Sequence, residues 1–176
     1  QLCTLADALR AEQVGDVLTY AVNRNVNAAL YAPEAAGDTS AEGSTATADA
    51  GAAGVGNAEL RRIAAEAVEA GATEICVQGP LDPALPGKAY LDLVDALRAE
   101  QPQLHLHAYR PAEILDGSQR LGITPAEFHR LLRDRGVGSV PGTAARVLDD
   151  EIRELLSAGT DMPAHQWEEL IRTAHQ

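Results

Sequence analysis

Four strand-length segments alternate with amphipathic helices along this chain, and this alternation constrains the fold more than any other feature. The strands are predicted over Val17–Val26, Thr73–Gln78, Leu104–Ala108 and Val137–Val140. Such spacing is typical of a parallel sheet with helices packed on its outer side. The pattern predicts an α/β fold of one domain, residues 1–176, with about four βα units. Four units are half of an eight-unit TIM-type (β/α) barrel.

The helices are recognised by apolar stripes at helical spacing. They are predicted over residues 4–13, 57–70, 90–97, 125–135, 144–156 and 164–175. Asn57, Thr124 and Asp161 are the side chains predicted to cap three of them. A half barrel leaves two sheet edges and one apolar face uncovered, which a soluble protein rarely tolerates. We therefore expect the missing half to lie beyond Gln176 or to come from a second copy. The absent initiator Met also indicates a trimmed piece of a longer protein.

One long segment carries no strand or helix pattern. Residues 28–57 follow the first strand and consist mostly of Ala, Gly, Ser, Thr and acidic residues. From residue 32 onward the segment has no aromatic residue and almost no large aliphatic one. It cannot bury enough apolar surface to offset the entropy lost on ordering. The sequence therefore predicts a disordered or weakly structured loop.

Composition excludes several classes of partner. The formal net charge is -12, and a phosphate-binding surface needs clustered Lys and Arg, so we expect neither nucleic acid nor an anionic membrane as partner. No apolar run approaches the roughly 20 residues that span a bilayer. The first residues also lack a secretion signal. Two cysteines, Cys3 and Cys76, are too few for a disulfide framework, and Cys76 is predicted to be a buried inert thiol. A cytoplasmic location is expected.

Polar residues in the predicted strands are the candidate site residues. His105 and His107 lie two positions apart, so both imidazoles point to one face of the sheet, where they could contact substrate, bind a metal or pack in the core. The pair lacks a third ligand, so no metal site is predicted. Gln78 and Thr143 follow strands at the end where barrel enzymes place functional groups, and the alternative is that they bond loop backbone.

Two further polar clusters have structural explanations beside functional ones. The Asn-rich end of the first strand, Asn23–Asn27, could bind a polar ligand, although Asn also suits turns. The acidic cluster Asp149–Glu151 lies early in a helix, where carboxylates interact favourably with the helix dipole, so it is not interpreted as a metal site. The sequence contains no Gly-rich phosphate loop, serine elbow or zinc-ligand spacing.

Several of these segments together resemble one enzyme family. They are Gly15–Asn27, Gly71–Gly79, Leu85–Tyr90, His105–Tyr109, Val140–Ala145, Leu148–Arg153 and Trp167–His175. They are similar to FO synthase, the radical S-adenosylmethionine enzyme family that builds the deazaflavin chromophore. The similarity spans nearly the whole chain apart from residues 28–57 and is strongest to the tyrosine-transferring subunit type. It implies a radical S-adenosylmethionine barrel, of which this chain provides about four βα units.

The resemblance also implies residues that this chain lacks. The family loop after the first strand carries Cys-x-x-x-Cys-x-x-Cys, which holds a four-iron four-sulfur cluster that binds S-adenosylmethionine. Without gaps, these positions fall on Ala32, Ala36 and Thr39, none of which can ligate iron. We therefore expect no cofactor in this chain.

Two more departures concern the cofactor end of the family pocket. The resemblance implies Gly-Gly after the second strand, but here Pro80 follows Gly79 and removes a backbone donor. It implies a Glu facing the positively charged cofactor, and Arg146 stands there instead. Together with the missing cysteines, these changes predict that the chain does not cleave S-adenosylmethionine reductively. The residues predicted to line a retained substrate pocket are Gln78, Gly79, His105, His107, Thr143 and Arg146.

These observations lead to three functional hypotheses. The first is an FO-synthase-like protein of deazaflavin coenzyme biosynthesis, related to the tyrosine 4-hydroxyphenyl transferase type and unable to do radical chemistry in this form. The second is a cluster-free module that binds a small molecule and completes its barrel by self-association. The third is a redirected enzyme that uses His105 or His107 in acid-base chemistry.

Overall fold

The sheet has four parallel strands. The computed structural model describes residues 2–33, 54–143 and 145–176. Its strands are β1 (Asn23–Asn27), β2 (Glu74–Gln78), β3 (His105–Ala108) and β4 (Val137–Ser139), in the order β1-β2-β3-β4. Each neighbouring pair is parallel. The predicted α/β class and parallel sheet are confirmed, and a barrel remains a prediction.

The described residues form seven α-helices, four of which lie between strands in the chain. They are α1 (Leu2–Val14), α2 (Asn57–Glu69), α3 (Lys88–Arg98), α4 (Pro111–Leu121), α5 (Pro125–Asp134), α6 (Asp150–Ser157) and α7 (Ala164–Ala174). Thr124 caps α5 as predicted, since its hydroxyl accepts a hydrogen bond from Glu127 N. The predictions for Asn57 and Asp161 are wrong, because the N-cap residues of α2 and α7 are Gly56 and Pro163. Among the described helices, none is both long and apolar enough to cross a membrane.

The first strand is shorter than predicted. Residues 17–22 form no strand, and Val17 and Leu18 are 74% and 85% exposed. The ladder between β1 and β2 begins where Asn23 lies opposite Glu74. The backbone N–H groups of Thr73 and Glu74 both donate to Val22 O at that point. An edge strand extends only as far as its single partner, so the apolar run before Asn23 does not become strand.

Helix α4 is absent from the sequence prediction, because its apolar stripe is interrupted by Gly117 and Ser118, both poor helix formers. Gly117 is required by packing. A Cβ atom placed there would lie 2.5 Å from Phe128 Cζ. The signals that could have revealed the helix are Pro111 in its first turn and Gly122, which ends it at φ 68°.

The hydrophobic core lies between one face of the sheet and the helices. Ile75, Val77 and Leu106 point into it and are fully buried. The rings of Tyr90 and Tyr109 meet edge to face at 5.0 Å, and those of Tyr90 and Phe128 at 6.2 Å. Burial of this kind is the dominant favourable term in folding, so this side of the sheet stabilises the domain.

The uncovered apolar surface is not where the sequence analysis expected it. The sheet face that was expected to be apolar carries polar side chains. These side chains alternate along each strand with the apolar residues of the core. Exposed apolar side chains lie instead on or near α1 and α6, at Leu2, Leu5, Leu9, Val14, Leu148, Ile152, Leu155 and Leu156. In α1 every described residue is exposed. Apolar pattern alone did not distinguish a sheet face from a helix face.

The two ends of the predicted loop at 28–57 are ordered. Ala28–Leu30 form a 3-10 turn, and Tyr31 pairs with Val55 as an isolated parallel bridge. Tyr31 is 3% exposed, and its hydroxyl donates to Asn57 Oδ1 at 2.8 Å. The rest of that prediction, residues 34–53, lies outside the described residues.

The predicted helix over residues 144–156 begins later, at Asp150. Asp149 is its N-cap, and its Oδ1 accepts a hydrogen bond from Ile152 N at 3.1 Å. Asp150 Oδ1 accepts another from Ala164 N, at the start of α7. Both carboxylates therefore satisfy helix N-termini, as expected of acidic residues at these positions.

Candidate functional site

One face of the sheet is lined by polar side chains. We call it the polar face, and its members are Asn23, Asn25 and Asn27 of β1, Glu74, Cys76 and Gln78 of β2, His105 and His107 of β3, and Ser139 of β4. Successive strand residues point to opposite faces. The intervening residues Ile75, Val77 and Leu106 are in the core, so the polar members face away from the helices.

Near the amino-terminal end of β2 and β3, four side chains meet on the polar face. Glu74 lies directly opposite His105 in the parallel register, and His107 lies opposite Ser139. The Ser139 hydroxyl is 2.7 Å from His105 Nε2 and 2.7 Å from His107 Nδ1. One hydroxyl therefore joins both imidazoles, and their nitrogens converge on one point.

The Glu74 carboxylate is oriented by a neighbour on β1. Asn23 Nδ2 donates to Glu74 Oε1 at 2.6 Å. The other oxygen, Oε2, lies 3.8 Å from His105 Nε2. Gly138 of β4 leaves room for the His105 ring, since a Cβ atom at Gly138 would lie 2.5 Å from its Cε1. The side chains of Glu74 and His105 are 22% and 45% exposed, so a solute can reach them.

At the opposite, carboxyl-terminal end of β1 and β2, amide side chains and a glycine adjoin. Asn27 and Gln78 are partners in the ladder. Asn27 Oδ1 accepts a hydrogen bond from Ala29 N at 3.0 Å and so caps the 3-10 turn. Gly79 has φ 113°, and a Cβ atom there would lie 2.5 Å from Asn27 Oδ1. Gly79 is therefore required both for its backbone conformation and for this close approach.

Thr143 and Arg146 are bonded to the helical region after β4. The Thr143 carbonyl accepts a hydrogen bond from Trp167 Nε1 at 3.1 Å. Arg146 has φ 45°, its side chain is 49% exposed, and its Nε lies 3.5 Å from Asp161 Oδ2. These bonds engage α7 and the segment before it, and the place of both residues in a substrate pocket stays a prediction.

The segment that carries Arg146 is held by a buried arginine. Arg153 of α6 is 3% exposed. Its guanidinium donates to the carbonyls of Ala145 and Val147 at 2.7 and 3.2 Å, and to that of Met162 at 2.8 Å. Charged donors form strong hydrogen bonds when buried, so Arg153 fixes the backbone on both sides of α6. Sequence analysis did not identify this residue.

Comparison with known proteins gives these elements a family. The chain is 41% identical over 175 residues to FO synthase of Mycobacterium tuberculosis, which covers 99% of the chain and 20% of that protein. It is 39% identical over 182 residues to FO synthase of Streptomyces coelicolor, again over 99% of the chain and 20% of that protein. This chain is a relative of FO synthase. The predicted resemblance is confirmed.

A shorter relative matches as well. The 5-amino-6-(D-ribitylamino)uracil–L-tyrosine 4-hydroxyphenyl transferase of Methanothermobacter thermautotrophicus is 37% identical over 175 residues, covering 99% of the chain and 47% of that protein. This chain therefore spans about a fifth of the length of the two FO synthases and about half of the length of the transferase. No protein-family model matches the chain.

The cluster that the sequence resemblance implies does not fit the side chains of this chain. The implied motif needs three cysteines, and the chain contains two, Cys3 in α1 and Cys76 in β2. At the expected cluster positions, Ala32 is exposed, and its N–H donates to Val55 O at 3.1 Å. Ala36 and Thr39 lie outside the described residues. A two-thiol chain cannot supply the three thiolates of the motif.

Cys76 itself lies on the polar face of the FO synthase relative, opposite His107 in the register. It is 8% exposed. Burial, and to a smaller extent the Glu74 carboxylate, raises the pKa of the Cys76 thiol above its ordinary value. The protonated thiol is a poor nucleophile and a poor metal ligand, which supports the interpretation of Cys76 as inert.

Sequence reasoning missed Glu74, Ser139 and Asn23 as neighbours of the histidine pair. Their association depends on the register of four strands, which brings the first residues of β1, β2 and β3 together and places Ser139 opposite His107. A usable signal was present, since Glu74 and His105 each interrupt the apolar start of a predicted strand. Two polar residues at equivalent positions of adjacent parallel strands indicate a shared site.

Proposed function

We propose that this FO synthase relative binds a small polar molecule at the carboxyl-terminal end of the polar face. The observation that carries the proposal is the pairing of Asn27 and Gln78 at the strand end, where both amide side chains lie on the polar face. Functional groups of α/β sheets gather at this end of the strands. Amides both donate and accept hydrogen bonds, which suits a ligand rich in hydroxyl and carbonyl groups.

The ligand class follows from the relatives and from these amides. The name of the Methanothermobacter relative gives 5-amino-6-(D-ribitylamino)uracil and L-tyrosine as its substrates. We propose that this chain takes the ribitylaminouracil, because Asn25 and Gln78 can bond the carbonyl and N–H edge of a uracil and the hydroxyls of its ribityl chain. Such a role belongs to deazaflavin biosynthesis and to the cytoplasm.

Binding can be measured by isothermal titration with 5-amino-6-(D-ribitylamino)uracil and, separately, with L-tyrosine. The Gln78→Ala variant is expected to weaken binding of the uracil about tenfold, the equivalent of one good hydrogen bond. Gln119→Ala is the matched control, because Gln119 is an exposed amide on helix α4. Equal affinity in Gln78→Ala and wild type, or no heat of binding with either compound, contradicts the proposal.

The proposal also excludes radical chemistry by this chain alone. Anaerobic reconstitution with iron and sulfide, followed by an absorbance spectrum, is expected to give no four-iron cluster. The donor set is the reason, since the two cysteines lie in separate elements and the exposed Ala32 offers no ligand atom. A four-iron absorbance band that survives gel filtration would overturn this part of the proposal.

We further propose that additional βα units complete the sheet, supplied by a second copy of this chain. The support is the pair of edge strands, β1 and β4, and the exposed apolar residues Leu5, Leu9 and Ile152. Large exposed apolar patches mark protein interfaces. Light scattering after size exclusion is expected to give the mass of a dimer. A stable, folded monomer at high concentration rules out self-pairing.

A further inference from the structure

We propose that Glu74, His105 and His107 bind a divalent transition-metal ion, with zinc the best match. The three side chains offer two imidazole nitrogens and one carboxylate oxygen that all lie within 4.8 Å of one another. Two histidines and one glutamate form a donor set that zinc accepts, with its fourth position left for water or another ligand. The proposal goes beyond the small-molecule site and does not depend on it.

The donor atoms need only small movements to reach bonding geometry. Ligand bonds to zinc are about 2.0–2.2 Å long, and in a tetrahedral site neighbouring donor atoms are therefore roughly 3.4 Å apart. Glu74 Oε2 and His105 Nε2 are already 3.8 Å apart. Rotation of side chains closes the remaining distance, and the register of β2 and β3 holds their backbones in place.

The contact with Ser139 shows that the two imidazoles are aimed at one point. His105 Nε2 and His107 Nδ1 each lie 2.7 Å from the Ser139 hydroxyl. A hydroxyl has one proton, so it donates to one ring nitrogen and accepts from the other. A metal ion bound at the point of convergence would replace both bonds by stronger ones, and Ser139 would turn away.

Neighbouring residues support the site in the way that metal ligands require. Asn23 Nδ2 holds Glu74 Oε1 at 2.6 Å, so Oε2 faces the histidines. Hydrogen bonds that orient ligands typically change metal affinity by 10- to 100-fold. Gly138 provides the space in which the His105 ring sits. The site thus has three ligands, one orienting amide and one required glycine.

The metal site is separate from the proposed ligand site. Glu74 begins β2 and Gln78 ends it. Four strand residues at about 3.3 Å each place their backbones roughly 13 Å apart. Failure of one proposal therefore leaves the other intact, because zinc binding uses Glu74, His105 and His107, and uracil binding uses Asn25 and Gln78.

The test is a titration of chelator-treated protein with zinc, using a competing chromophoric chelator, and with cobalt, whose visible absorption reports tetrahedral coordination. One equivalent of metal is expected per chain. His105→Ala, His107→Ala and Glu74→Gln are each expected to weaken zinc binding more than tenfold. Asn23→Ala, which keeps all three ligands, is expected to weaken it about tenfold through the carboxylate orientation.

Matched controls separate the site from the acidic surface of a chain whose net charge is -12. His165→Ala and Glu69→Gln alter exposed helical residues of the same types and are expected to leave zinc affinity unchanged. Circular dichroism checks that each variant is folded. The proposal is wrong if the wild type binds zinc more weakly than about 0.1 mM, or if the ligand variants bind as tightly as the controls.

Discussion

The two faces of the sheet are built from alternate residues of the same strands and differ in nearly every property. On the helix side, Ile75, Val77 and Leu106 have no exposed surface. On the polar face, the three Asn residues of β1 and His105 are exposed, and the other members except the buried Cys76 keep partial access to solvent. The helix side stabilises the domain, and the polar face carries the two proposed binding sites. Functional sites are expected on such a rigid framework.

The comparison is sharpest within β3, where Leu106 and His107 are adjacent and point to opposite faces. Leu106→Ala is expected to lower the free energy of unfolding by about 3–4 kcal/mol, because a buried leucine loses its contacts and leaves a cavity. His107→Ala should lower it by less than about 1 kcal/mol. Urea unfolding followed by circular dichroism measures both. Similar losses in the two variants would show that the polar face also stabilises the fold.

A pair of arginines extends the comparison to the C-terminal helices. Arg153 is 3% exposed and bonds three backbone carbonyls, whereas the Arg146 side chain is 49% exposed and has one ion pair. Arg153→Met should lower the free energy of unfolding by about 2–3 kcal/mol, because several part-buried carbonyls lose a charged donor.

The matched variant is Arg146→Met. In the same urea experiment, Arg146→Met should lower the free energy of unfolding by less than about 1 kcal/mol, because exposed ion pairs contribute little to stability. If Arg146→Met is the more harmful of the two, the segment around it has a structural role that the geometry does not indicate.

A buried histidine tests the helix side through pH. His129 lies on α5, and its Nε2 is buried with no hydrogen-bond partner among the described residues. Burial lowers the pKa of His129, partly offset by a hydrogen bond with the Leu170 backbone. Histidine has an ordinary pKa of about 6.5, so below this pH His129 of the unfolded chain binds a proton. In the folded protein the buried side chain binds that proton less readily. Stability should therefore fall as the pH falls from 7 towards 5.

The measurement is the urea midpoint between pH 5 and 8. His129→Gln is expected to reduce the loss of stability at low pH, because the titrating group is gone. His165→Gln, which changes an exposed histidine, should keep the wild-type dependence. A loss of equal size in all three proteins would assign the effect to other groups.

The fold was largely predictable because β2 has an apolar centre, β3 alternates polar and apolar residues, and turn residues bound both strands. β1 was predicted too long, since Val17–Val22 has strand character but no strand partner in the ladder with β2. Helix α4 was missed because Gly117 weakens a helical pattern, although the Phe128 ring requires it. Propensity is a local property, and each error arose where a tertiary contact outweighed it.

The candidate site was only partly predictable from the sequence. The two-residue period of a strand was enough to put His105 and His107 on one face. Register was needed to add Glu74, Ser139 and Asn23, and a single sequence does not specify register between strands far apart in the chain.

The smallest effect is expected at the edge of the sheet, where Asn25 and Val26 are neighbours on β1. Val26 is 6% exposed and belongs to the core, whereas Asn25 is exposed on the polar face. Asn25→Ala should change the free energy of unfolding by less than about 0.5 kcal/mol. Val26→Ala should cost roughly 2 kcal/mol, because it removes two buried methyl groups.

The same Asn25→Ala protein should bind 5-amino-6-(D-ribitylamino)uracil more weakly in the titration described above. If Asn25→Ala keeps its stability but binds the uracil more weakly, Asn25 serves binding whereas its neighbour Val26 serves stability. The two faces would then have different functions. Should Asn25→Ala instead be as unstable as Val26→Ala, the polar side of β1 must be packed against another part of the protein in solution. The face would then be an interface, and its amides would be satisfied by protein rather than by a ligand.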